Sequence, residues 1–71
     1  GEIITIKTEK FKFSKDWQGF DNLDKGTIIA YDDEEPIYAP FEKTILIMPT
    51  KRLLVGKTAV RLAYQIEQNG L

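Results

Sequence analysis

The chain predicts an all-β fold, a small barrel or barrel-sandwich-like domain of about six short strands. Short apolar runs rich in Ile, Val, Thr and aromatic residues recur from end to end. Turn signals built on Gly, Pro and acidic residues separate them roughly every eight to twelve residues. Within several runs the apolar positions alternate with polar ones, the period-2 signature of a half-buried strand.

Ile4, Ile6 and Thr8 alternate with Thr5, Lys7 and Glu9, so a strand opens the chain. Phe11 and Phe13 resume the alternation on the opposite parity, which places a turn or bulge near Thr8 to Lys10. Ser14-Lys15-Asp16 breaks the pattern, and Trp17, Phe20 and Leu23 are spaced as the pins of an irregular loop. Asp24-Lys25-Gly26 is a turn, with Gly26 free to take a positive φ, and Thr27 to Tyr31 is a β-branched core strand.

Asp32 to Glu35 forms the most polar stretch and reads as a solvated hairpin tip, because four adjacent like charges repel and seek water. Pro36 then starts the strand Ile37 to Ala39, where a missing N–H matters least, and Pro40 ends it. Thr44 to Met48 is a continuous apolar run closed by Pro49 and is the candidate for the most buried strand. Leu53-Leu54-Val55-Gly56 leads to Ala59 to Gln65. There Val60, Leu62, Tyr64 and Ile66 alternate as a strand, while Ala59, Leu62, Ala63 and Ile66 also fit a helical face; the short-strand context favours strand. The tail Gln68 to Leu71 is expected to fray.

With 71 residues there is room for one domain, near the lower size limit for a core without disulfides or metals, so a domain cut from a larger protein fits the length as well as a complete protein does. Ten basic residues face eleven acidic ones, for a net charge of -1. No basic field exists to draw a nucleic acid, and no apolar stretch is long enough to enter a membrane. The chain has neither His nor Cys. That removes the commonest general base, the commonest metal ligands and the thiol nucleophile, so no catalytic residue, metal ligand or cofactor site is nominated. The acidic residues cluster in a turn rather than flanking a pocket, and Asp32 to Glu35 lacks the ligand spacing of a calcium loop. The lack of cysteine leans toward the cytoplasm.

Gly19-Phe20, Lys25 to Ala30, the acidic turn, Pro36 to Pro40, Ile45 to Pro49 and Gly56 to Ala59 occur in an order that resembles the C-terminal β-domain of the succinylglutamate desuccinylase and aspartoacylase family. The resemblance covers roughly Trp17 to Ile66 and rests on turn and core residues. It implies an accessory domain that partners its own N-terminal catalytic domain in a zinc-dependent N-acyl-amino-acid amidohydrolase. The zinc would belong to that catalytic domain, whose His-x-x-Glu pair and later His have no counterpart here. It also implies a channel-shaping role for Met48, Pro49, Lys51 and Arg52, with Lys51 or Arg52 attracting the carboxylates of an acidic substrate, and Arg61 a further contributor if it projects alongside. Trp17 and Phe20 are the candidates for docking on the catalytic domain. The aromatic set Phe11, Phe13, Trp17, Phe20 and Tyr31 otherwise reads as core.

A second reading is a stand-alone binding module, or a carrier similar to lipoyl and biotinyl domains. Asp24-Lys25-Gly26 distantly resembles the lipoyl attachment pattern, with Lys25 as the modified residue. Turn chemistry alone also explains those three residues.

Overall fold

The computed structural model describes residues 2–64. Seven strands build it: β1 (Glu2–Thr5), β2 (Lys12–Phe13), β3 (Asn22–Leu23), β4 (Ile28–Asp32), β5 (Glu35–Tyr38), β6 (Thr44–Ile47) and β7 (Thr58–Tyr64). They form two antiparallel sheets, one ordered β1-β7-β6-β3 and the other β2-β4-β5. The all-β expectation holds, as a sandwich-like pair of sheets rather than a closed barrel. No helix among the described residues is long and apolar enough to cross a membrane.

Both sheets feed one core: Ile4, Leu46, Val60 and Leu62 come from the first, Ile29 and Ala30 from the second, with Ile6, Phe11 and Ala39 closing the ends. Away from the bulges each is a strand or near-strand residue whose neighbours in sequence point outward, as the pleat requires. Two bulges modify the pattern. Ile28 and Ile29 together oppose Tyr38, and Ala59 is the extra residue where β7 pairs with Ile4 and Thr5. In each bulged strand two consecutive residues are buried, Ile29-Ala30 and Ala59-Val60.

The ambiguous last segment is strand through Tyr64, and the chain turns at Thr8 to Lys10 as its parity change predicts. Gln65, Ile66 and the tail expected to fray lie outside the described residues. Gly26 takes φ 89°, and its amide donates to the Ala39 carbonyl at 2.9 Å, so the turn before β4 is fastened to the end of β5. Pro36 sits inside β5, opposite Tyr31. It is tolerated because β5 is an edge strand, and the alternation of ladder bonds from the Asp32–Glu35 pair turns the proline nitrogen outward.

Four expectations are corrected. Asn22–Leu23 forms a short strand against β6 where an irregular loop was expected. β6 is buried on one face only: Thr44 and Leu46 are fully covered, Ile45 and Ile47 are half-buried, and Met48 lies beyond the strand with 81% of its surface exposed. The fold is two-layered, so the outer face of β6 stays partly open to solvent. Phe20 is no core residue, being 75% exposed. Asp32 is not part of a solvated tip: the tip is Asp33-Glu34, and Asp32 is buried at the end of β4.

Candidate functional site

The loop after β2 is held by two successive carbonyls of β4. The Ile29 carbonyl, at the bulge, receives the Ser14 amide at 2.9 Å and the Trp17 indole Nε1–H at 2.8 Å, while the Ser14 hydroxyl donates to the Ile28 carbonyl at 2.6 Å, with the Ile29 oxygen 3.0 Å away. These bonds fix the indole half-buried against the core, with the Lys15 ammonium 5.6 Å from its ring centroid. Phe13 is set beside it by an edge-on contact with Phe11, centroids 5.2 Å apart.

The segment after β6 meets this loop. Met48 has φ 51° immediately before Pro49, a combination that the proline ring disfavours. The chain then returns toward β7, with the Thr50 amide donating to the Ala59 carbonyl at 2.8 Å. The Thr50 hydroxyl accepts the Arg52 amide at 3.1 Å, which sets a tight turn over 50–52. Lys51 reaches Asp16 at 3.5 Å.

The two segments enclose a groove of 260 Å³. Phe13, Trp17, Pro49 and Leu53 supply its apolar surface, and Lys12, Lys15, Lys51 and Asp16 its charges. Pro49 and Lys51, nominated for a channel, and Trp17, nominated for docking, are therefore brought together in one place. Met48 and Arg52 do not line the groove; Arg52 is exposed on the turn beside it. Arg61 is exposed on β7 between Ile3 and Ile47, also outside the groove. Sequence reasoning missed Lys12 and Lys15: Lys15 looks like an ordinary solvated residue until the loop sets it over Trp17, and Lys12 borders the groove from β2 with its ammonium over Tyr31.

Phe20 stands one turn away. It occupies the third position of the turn Gln18 to Asp21, closed by the Asp21 amide on the Gln18 carbonyl at 3.2 Å, and takes φ 69°. Its amide donates to the Leu46 carbonyl at 2.7 Å. Phe20 is thus fastened to the strand residue two positions before Met48. Two bulky, exposed apolar residues at positive φ hang from the same end of β6.

A larger cleft of 570 Å³ opens between the sheet edges β1 and β5. Its closed end is Asp32, whose carboxylate accepts the Lys7 amide at 2.7 Å, the Thr8 amide at 3.0 Å and the Thr8 hydroxyl at 2.6 Å. The Thr8 hydroxyl bond, then the two amides and the Lys7 charge, hold its pKa below the ordinary value of 3.8 against the opposing effect of burial. With its oxygens so occupied, Asp32 is a structural tie between the two sheets.

Lys25 lies in the turn joining β3 of one sheet to β4 of the other. It is therefore at a corner between sheets rather than at the tip of a hairpin between paired strands, where carrier domains display their lysine. No group of three or more His, Cys, Asp or Glu able to hold a metal occurs among the described residues. No family model matches the chain, and no curated protein or solved structure is significantly similar to it.

Proposed function

We propose that this chain is the accessory β-domain of a zinc-dependent N-acyl-amino-acid amidohydrolase of the succinylglutamate desuccinylase and aspartoacylase type. It docks on a catalytic domain and narrows the entrance to that domain's site without performing chemistry itself. The observation that carries the reading is the pair Phe20 and Met48, 75% and 81% exposed and both at positive φ. A bulky side chain in the left-handed region is strained, and a folded chain gains nothing in water from holding two of them outward on one strand end. An interface with another domain gives such residues a role.

The ordered turn and core motifs support the same reading. The lack of His and Cys fits a domain that works beside chemistry performed elsewhere. In this reading the zinc belongs to the catalytic domain, where the His-x-x-Glu pair and the later His would hold it. Pro49 and Lys51 then stand at the rim of the entrance, where an ammonium attracts the carboxylate of an acidic N-acyl amino acid. A cytoplasmic setting belongs to the same reading.

The test is the full-length translation product that contains this segment. It is expected to carry an upstream domain with His-x-x-Glu and a later His, to bind zinc, and to release free amino acids from N-acyl amino acids. A reading frame that starts near Gly1, or a full-length protein that neither binds zinc nor hydrolyses such amides, overturns the proposal.

A further inference from the structure

We propose that the Trp17 groove is itself a binding site for small carboxylates that carry an apolar acyl body. The groove has two chemically distinct parts. Phe13, Trp17 and Pro49 give a surface that can cover an acyl chain, while Lys15 and Lys51 bring ammonium groups to it and Lys12 lines it with its own ammonium turned to Tyr31. Against these two cations stands one lining carboxylate, Asp16, so the groove carries an excess positive charge although the chain carries a net charge of -1. A local reversal of sign in a concave, partly apolar setting concentrates anions there. Its 260 Å³ lies just under the roughly 300–1,000 Å³ of pockets for drug-sized molecules, which selects a small ligand.

The walls are set before any ligand arrives. Trp17 is locked by its bond to Ile29, and the 50–52 turn by the mutual bonds of Thr50 and Arg52. Little side-chain freedom is lost on binding at those points, which favours affinity. Each ammonium is engaged only weakly: Lys15 lies over the Trp17 ring at 5.6 Å, Lys12 over the Tyr31 ring at 5.9 Å, and Lys51 meets Asp16 at 3.5 Å across solvent. An ammonium has three donors, so a ligand carboxylate can be accepted without breaking the Lys51–Asp16 contact.

The site stands independently of the accessory-domain reading, because binding is a property of this chain alone. It can be read on the 71-residue protein, in which Trp17 is the only tryptophan. Titration with N-hexanoylglycine, and in parallel with the uncharged N-hexanoylglycinamide, is followed by Trp17 emission and by amide shifts in a ¹⁵N–¹H spectrum. The acid is expected to saturate in the millimolar range, to shift the amides of Lys12, Phe13, Trp17 and Lys51, and to bind more weakly as salt is raised. Lys15→Gln and Lys51→Gln should each weaken it by about two- to fivefold, as expected for an exposed charge contact. Lys57→Gln, outside the groove, should leave it unchanged. Equal response to acid and amide, shifts confined to other residues, or indifference to both lysine variants overturns the proposal. Those results would leave the accessory-domain reading untouched, just as an upstream reading frame without a zinc domain would leave this site standing.

Discussion

The Trp17 indole nitrogen donates to the Ile29 carbonyl at 2.8 Å, an oxygen it shares with the amide of Ser14, whose hydroxyl donates to the neighbouring Ile28 carbonyl at 2.6 Å. The bulge in β4 places Ile28 and Ile29 opposite Tyr38, and the loop after β2 gathers on the Ile29 carbonyl. Trp17→Phe keeps much of the ring contact but removes one of the two N–H donors on that oxygen. The acceptor retains the Ser14 amide, so the loss is expected to be about 1–2 kcal/mol rather than the larger penalty of an orphaned polar group. Urea denaturation followed by far-ultraviolet circular dichroism measures it. An unchanged midpoint would mean that the indole bond does not hold the loop.

Asp32 ties the two sheets through Lys7 and Thr8, 25 and 24 residues away in sequence. Its folded pKa is depressed below 3.8, so the folded state binds its proton later than the unfolded chain does as the solution is acidified. The stability it contributes is therefore fully present above the unfolded value and is lost as pH falls through the folded one. Asp32→Asn should lower the melting temperature at neutral pH. It should also flatten the fall of stability as the solution is acidified through and below the ordinary value of 3.8, relative to the unsubstituted chain. Parallel curves for the two proteins over that range would show that another carboxylate governs acid unfolding.

Much of the fold was legible because it follows from side-chain alternation and turn chemistry. Gly26 occupies the positive-φ position its turn needs, and Ile4 and Ile6 are buried on the parity their alternation indicates. What escaped has physical causes. The Asn22–Leu23 strand is too short to display a period. The bulge at Ala59 puts consecutive residues inward, which is why β7 reads almost as well as a helical face. Asp32 belongs to an acidic run by composition but is selected out of it by two amides distant in sequence, which no local pattern reveals. The groove was half legible: Trp17, Pro49 and Lys51 are conspicuous singly, while Lys15 acquires meaning only once the loop closes on Ile29.

The β4–β5 hairpin turns on Asp33 and Glu34, at φ 53° and 70°. Positive φ at both central residues marks a type I′ turn, for which Asn-Gly is the favoured pair. Glu34 carries a side chain where glycine is preferred, and Lys10 contacts Asp33 only across solvent at 3.7 Å. Replacing Asp33-Glu34 by Asn-Gly should therefore stabilise the chain by about 0.5–1 kcal/mol, seen as a melting temperature higher by a few degrees. A lower melting temperature would show that the Lys10–Asp33 contact or the acidic charge outweighs turn strain.

Met48 poses the opposite balance. A non-glycine residue in the left-handed region is disfavoured by roughly 1–2 kcal/mol, whereas glycine there is relaxed but loses about 0.5–1 kcal/mol more chain entropy on folding. The Met48 side chain is 81% exposed, so its removal forfeits little packing within the domain. Met48→Gly should thus leave the isolated chain equally stable or up to about 1 kcal/mol more stable. If the side chain is held outward to meet a catalytic domain, the same substitution should lower zinc-dependent hydrolysis in the full-length protein, because the contact surface is gone while the fold is intact. The informative result is the two measurements together, thermal unfolding of the isolated chain and kcat/KM of the whole protein. A gain in stability with undiminished activity would remove Met48 from the interface, and a marked loss of stability would show that the left-handed conformation serves the fold itself.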